Sequence, residues 1–252
     1  NKAIIELGIT KDDFLDNLIQ NYGFDSNGEY FVNYDDKKYI NKTEQIEVLA
    51  DINLSVRERD TISIQGISGV GKTTLLNLIG GFDSPSSGRI IFQNEDITHY
   101  DETDMAKFRC KNIGYVFQSF YLLEELNLLE NIILPALKLG LPRKDAVAKA
   151  MEISEILSLT NRLKHFPSEI SGGEKQRAAI ARAVINSPKL ICADEPTGNL
   201  DIKHKNIIAQ LLFKIVESNN LSLILVTHEV DLAAKCKRKY KIEDCHLIDL
   251  NS

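Results

Sequence analysis

An α/β protein built on a mainly parallel sheet is expected from three features of the chain. Short apolar runs of strand length alternate with segments of helical periodicity, most regularly from Leu190 onward. A glycine-rich turn joins one such run, Ile62 to Ile64, to the apolar segment Leu75 to Ile79. Later runs end in polar residues, at Asp194-Glu195 and at Thr227-His228. Strands that alternate with helices imply crossover connections, and so parallel pairing. The carboxyl ends of parallel strands then face the ligand crevice.

The bulk numbers set limits. A chain of 252 residues can bury a real core, as one large domain or two small ones. With 43% apolar and 26% charged residues it reads as an ordinary soluble globular protein. The formal charge is −6 and no Lys/Arg run occurs, so a nucleic-acid partner is not expected. No stretch approaches the roughly 18 apolar residues that cross a bilayer, and no signal peptide is expected at the start, Asn1-Lys2-Ala3-Ile4. Four cysteines, none in Cys-x-x-Cys spacing, read as free thiols in a reducing compartment.

Along the chain, residues 1–28 read as an appendage. Thr10-Lys11-Asp12-Asp13 has the form of a capping box, and Phe14, Leu15, Leu18, Ile19 and Tyr22 follow at helical spacing before Gly23. The expectation is a short helix packed on the domain, with a partner-docking helix as the alternative. From Tyr30 to Ile64 apolar residues alternate as in strands. Residues 130–186 read as mostly helical, with one helix over Ala146 to Leu159 and another beginning at Ser171. Strand Leu190 to Ala193, helix Ile207 to Val216 and strand Leu223 to Val226 follow.

Gly66-Ile67-Ser68-Gly69-Val70-Gly71-Lys72-Thr73 fits G-x-x-x-x-G-K-[ST]. A phosphate chain needs backbone N–H groups aimed inward, and glycine lets the backbone curl that tightly. The helix beginning near Lys72 adds the positive end of its dipole. Lys72 supplies a point charge for the β- and γ-phosphates, and the Thr73 hydroxyl is a ligand for Mg²⁺. By itself the loop says nucleotide, without choosing a kinase, a GTPase or a motor.

Asp194 and Glu195 end an apolar strand. Asp194 is suited to holding Mg²⁺, and Glu195 to taking a proton from an attacking water. His228 and Gln118 also follow strands. The first suits contact with the γ-phosphate, the second contact with Mg²⁺ or the water. Ser171 to Gln176 opens a helix with two glycines in its first turn, which is poor for helix propensity but good for an anion site. One ATP needs one phosphate cradle. A second cradle in the same chain points to the ATP of another subunit.

Together, the phosphate loop, Gln118, Ile170-Ser171-Gly172-Gly173-Glu174, the Asp194-Glu195 strand, Gly198-Asn199-Leu200-Asp201 and His228 resemble ABC-transporter ATPase subunits over about residues 30–250. The resemblance implies a RecA-like P-loop core with a mainly parallel sheet, an antiparallel β subdomain and an inserted helical subdomain at about 119–186, within one domain, 29–252. It implies a homodimer with two ATP at its interface. Each ATP would sit on one phosphate loop, Thr74 included, and against Ser171, Gly172 and Gly173 of the other subunit. Glu195 would be the general base, His228 would touch the γ-phosphate, and Asp201 would lie at the dimer interface. Tyr39 stands where the family stacks an aromatic on adenine, a tyrosine on a strand face being the alternative.

The segments Leu75 to Asp83, Phe117 to Leu123 and Ala193 to Asp201 are similar to the group serving lipoprotein release, macrolide and peptide export, and cell division. Within it the lipoprotein-releasing ATPases look most alike, on Ser168 to Glu174 and Thr227 to Ala233. That implies integral membrane permease partners, docked near Ser119 to Asn131, and a peripheral location on the cytoplasmic face of the inner membrane. The alternatives are the ATPase of a macrolide or peptide exporter and a regulatory switch of the cell-division type. A chromosome or DNA-repair ATPase would carry coiled-coil or zinc insertions, and this chain has neither. Two turns depart from the family: Arg59-Asp60 stands for Gly-Glu, and Asp244-Cys245 for Asp-Gly.

Overall fold

The computed structural model describes residues 6–7, 29–40 and 45–251. The helix expected at 10–23 lies outside the described residues. In chain order the elements are β1 (Glu6–Leu7), β2 (Glu29–Ile40), β3 (Gln45–Arg57), β4 (Thr61–Gln65), α1 (Lys72–Ile79), β5 (Arg89–Phe92), β6 (Glu95–Asp96), α2 (Glu102–Asn112), β7 (Ile113–Val116), α3 (Leu128–Lys138), α4 (Arg143–Ile156), α5 (Gly172–Val184), β8 (Leu190–Asp194), α6 (Ile202–Ser218), β9 (Ser222–Val226), α7 (Val230–Ala233), β10 (Arg238–Glu243) and β11 (His246–Asp249). Two compact units divide the chain: Asn1–Asp101 with His228–Ser252, and Glu102–Thr227.

The first unit carries the antiparallel strands. β2 pairs antiparallel with β3 and β5, β5 pairs antiparallel with β6, and β1 lies parallel to β2. In β3, Ile52, Leu54 and Val56 are buried, while Asn53 between them is exposed and Ser55 half-buried, the alternation of a strand with one face inward. β4 pairs parallel with β10, which turns back antiparallel into β11. β4 is buried from Thr61 to Ile64, and α1 sinks Leu75, Leu76, Leu78 and Ile79 into the same core. That burial fixes the start of α1, where the phosphate loop ends.

The second unit holds three parallel strands, with β8 between β7 and β9. All three are buried along their whole length, which is why their sequences read as continuous apolar runs. Helices fill most of 128–184, as the periodicity of 130–186 predicts. A capping box starts α3: the Asn127 side chain accepts from Glu130 N at 2.9 Å while Glu130 accepts from Asn127 N at 3.2 Å. The helix that follows the Ser171-Gly172-Gly173 signature segment, α5, packs closely on β7. A Cβ at Gly114 would lie 2.4 Å from the Ala183 carbonyl oxygen, so glycine there permits the approach.

The two unusual turns keep glycine-like backbones without glycine. Arg59 adopts φ 62, and Asp244 and Cys245 adopt φ 47 and 66 between β10 and β11. Asp60 anchors the first turn by accepting from Arg57 N at 3.0 Å and from Arg238 Nη1 at 2.9 Å. The Cys245 carbonyl accepts from Ala50 N at 2.9 Å, which holds the second. All four cysteines are free thiols, and burial pushes the Cys236 thiol up to about 12. Among the described residues no helix is long and apolar enough to cross a membrane.

An L-residue in the left-handed region costs about 1–2 kcal/mol, part of which glycine returns as unfolded-state entropy. Cys245→Gly is therefore expected to stabilise the fold by about 0.5–1 kcal/mol. Urea denaturation measures it, and a lower midpoint in the variant would contradict the strain.

Candidate nucleotide site

The phosphate loop runs from β4 to α1 in the first unit. Gly66 adopts φ 150, and a Cβ there would lie 2.8 Å from Val70 Cγ1 and 2.9 Å from the Ile242 carbonyl oxygen. Gly71 caps α1 at φ 104. Neither position accepts a side chain without displacing its neighbours. Lys72 is buried to 8% exposure, and its Nζ donates to the carbonyls of Gly66 at 2.9 Å and Ile67 at 2.7 Å. The ammonium thus spans the curl of the loop and keeps the carbonyls turned toward itself. The N–H groups of the curl and of the first turn of α1 are left to face an anion. Ile67, Ser68, Gly69 and Thr73 are exposed and Thr74 half-buried, as suits a loop that meets its ligand from solvent.

In the second unit, Asp194 ends β8 with 8% exposure. Glu195 continues the ladder by donating its N–H to the Val226 carbonyl at 2.9 Å, then turns at φ 42, and its own carbonyl accepts from Gly198 N at 2.9 Å. A left-handed glutamate at a strand end is strained by about 1–3 kcal/mol and persists where its surroundings over-determine it. Gln118 comes close to this turn: a Cβ on Gly198 would lie 3.2 Å from Gln118 Nε2. Gln118 therefore lies beside the turn that Glu195 makes after Asp194. His228 is exposed, two residues beyond the end of β9. Tyr39 lies in β2 opposite Ile46, at a position whose side chain is outside the described residues.

The N-terminus of α5 is the second glycine-rich helix start. Ser171 is its N-cap, and the capping box is complete: Ser171 Oγ accepts from Glu174 N at 3.4 Å, and Glu174 Oε2 accepts from Ser171 N at 2.9 Å. Ser171 Oγ also donates to Glu174 Oε2 at 2.7 Å, and Arg162 Nε donates to Glu174 Oε1 at 2.6 Å. The box leaves the Gly172 and Gly173 N–H groups without partners inside the helix.

A family model described as "ABC transporter" matches residues 49–198. The chain belongs to the ABC transporter family. It is 42% identical over 82% of its length to the lipoprotein-releasing system ATP-binding protein LolD of Treponema denticola, covering 91% of that protein. It is 42% identical over 84% of its length to the LolD of Geobacter metallireducens, covering 94% of it. Among solved structures it is similar to the ATP-binding cassette MJ0796 in a dimeric post-hydrolysis state with ADP and Pi. There the TM-score is 0.80 and the identity 34%, over 89% of this chain and 99% of that one. The cassette is an ATPase.

Several residues of this ABC cassette escape sequence reasoning. Asp201, expected only at a subunit interface, is the N-cap of α6, and its carboxylate accepts from His204 N at 3.0 Å. His204 then places Nδ1 2.7 Å from the other Asp201 oxygen. Its ring lies against the signature segment, 3.0 Å from where a Gly173 Cβ would be. Asn199 Nδ2 donates to the Gln118 carbonyl at 2.9 Å. No motif marks His204. Asn199 sits inside a quoted motif but acts on backbone, which spacing cannot reveal.

For Mg²⁺ the donors fit in kind: a hydroxyl at Thr73, a carboxylate at Asp194 and an amide oxygen at Gln118 are the oxygen ligands a hard cation takes. Among the described residues no cluster of three or more His, Cys, Asp or Glu could hold a metal alone.

The Ser171 hydrogen bonds, opposed by desolvation and helped by Arg162, hold the Glu174 carboxyl down at about 2 against an ordinary 4.5. A carboxylate lowered this way adds stability above its unfolded pKa and loses it as pH falls toward the folded value. Glu174→Gln should therefore cost most above about pH 4.5 and progressively less toward pH 3. Thermal unfolding of both proteins across that range measures it, and a gap that stays constant with pH would contradict the assignment.

Proposed function

We propose that the chain is the ATPase subunit of a lipoprotein-releasing transporter, in which ATP-driven dimerisation of two cassettes powers integral membrane partners. The single observation behind the choice of cargo is the identity of about two residues in five with lipoprotein-releasing ATP-binding proteins across most of both chains. The dimeric MJ0796 structures support pairing of cassettes. In this reading residues 29–252 act as one cassette, with the helical segment at about 119–186 inserted in it. It works at the inner face of the membrane, without nucleic acid.

Each residue has a chemical role in this reading. Gly66 to Thr74 wrap the phosphates with backbone N–H groups, and Lys72 exchanges its loop carbonyls for the β- and γ-phosphates. Tyr39 stacks on adenine. Thr73, Gln118 and Asp194 would hold Mg²⁺, which offsets phosphate charge when bound. Glu195, already fixed in a strained backbone, orients a water in line with the γ-phosphorus and accepts its proton. His228 donates toward the γ-phosphate. Ser171, Gly172 and Gly173 meet the ATP of the opposing cassette, with Asp201 beside them. To do so Ser171 must swing its proton from Glu174 toward phosphate, and Arg162 stays behind to pair with Glu174.

Glu195→Gln is expected to retain Mg-ATP binding, to lower turnover at least a hundredfold and to accumulate an ATP-bound dimer on size exclusion. Hydrolysis at near the normal rate would remove Glu195 as the base. Lys72→Ala should weaken nucleotide affinity at least tenfold, read by titration with a fluorescent ATP analogue; unchanged affinity would refute the phosphate-loop assignment. Affinity purification from membranes tests the cargo. Recovery of integral proteins with large periplasmic domains that bind lipoprotein supports it, and recovery of a drug or peptide exporter or of division proteins overturns it.

A further inference from the structure

The segment after Gln118 is held by the signature helix itself. Arg182, in the last turn of α5, donates from Nη2 to the Phe120 carbonyl at 2.9 Å and from Nη1 to the Tyr121 carbonyl. These are consecutive carbonyls, and they face one guanidinium because Tyr121 turns through a left-handed backbone at φ 45. Such a turn is costly for an aromatic residue, and here the planar fork of arginine holds it. Burial lowers the Arg182 pKa, but a guanidinium stays charged, and among the described residues no carboxylate pairs with it. Its charge is balanced by the carbonyl dipoles of the segment. Moving the segment without the helix would leave a half-buried charge without its acceptors, so the two shift together.

The same segment touches the start of α5. The Phe120 ring lies 3.8 Å from where a Gly172 Cβ would be. Its flanks have no slack. Asn199 holds the Gln118 carbonyl, and the fully buried Asn131 accepts from Leu123 N at 2.8 Å while its Nδ2 faces the carbonyls of Leu123, Leu126 and Asn127 at 2.9–3.1 Å.

We propose that Arg182 is a positioning residue that ties the segment Ser119–Asn131 to α5, the helix whose first turn carries Ser171–Gly173, so that ATP engagement at that first turn changes the segment on which the membrane partner docks. The proposal rests on the composite ATP site described above. Arg182 touches neither nucleotide nor the reacting atoms.

The test compares hydrogen exchange at amides 119–127 with and without saturating Mg-ATP, in Glu195→Gln protein and in the same protein carrying Arg182→Lys. Arg182→Gln is the second variant, and circular dichroism verifies both folds. With Arg182 present, Mg-ATP should change exchange in this segment at least tenfold. With Lys or Gln, nucleotide binding and the dimer persist while the ATP-dependent change falls below twofold. A tenfold response that survives both substitutions overturns the proposal. Failure of the Glu195→Gln protein to bind Mg-ATP, read separately by the fluorescent analogue, overturns the composite site and this inference with it. A general loosening of the segment does not mimic the expected result, since it changes exchange equally with and without ATP.

Discussion

A triphosphate brings several negative charges to a surface that must shed water, and the groups best placed to receive them are backbone N–H donors at a helix start. This chain builds two such starts. Gly66 to Gly71 curl ahead of α1, and Ser171 with two glycines opens α5. Most of the described architecture serves to hold them. The buried leucines of α1 fix the first start, and the close approach of Ala183 to Gly114 fixes the second helix on its strand. Neither cradle tolerates much drift, because a donor misplaced by an ångström leaves a phosphate oxygen partly unpaired.

The two cradles differ in how they wait for ligand. Lys72 satisfies the phosphate loop by bonding its carbonyls, so a cation stands where anions will come. At α5 the waiting group is an anion. Glu174 occupies the Ser171 hydroxyl and is itself pinned by Arg162. In the proposed function, binding at α5 begins with rearrangement of a serine proton, and the second cradle engages less readily than the first. This difference suits an order in which ATP loads on the phosphate loop and the signature end closes on it afterwards.

Much of this is legible in the sequence where side-chain type decides the outcome. The continuous apolar runs of β8 and β9 and the lysine and threonine of the phosphate loop can be read directly. The capping box at Ser171 is equally plain. What escapes is the work of side chains on backbone. Arg182, Asn131 and Asn199 each hold carbonyls of one segment, and a carbonyl carries no sequence signature. Asp201 is a helix N-cap as well as part of a motif, and the motif hides the cap. Arg59 and Cys245 raise doubt about local backbone shape where the family has glycine. The structure keeps that shape, at a cost in strain, because Asp60 and Ala50 anchor the two turns.

The proposed function requires one chain to carry two halves of two different ATP sites. The most direct measurement is the ATPase rate per mole of chain across a wide dilution series at saturating Mg-ATP. If the site is completed by a second copy, the specific rate rises with protein concentration at the dilute end and levels off once dimers dominate. A specific rate that stays constant from the most dilute sample upward, with the chain monomeric throughout, would mean that a single chain holds the whole site.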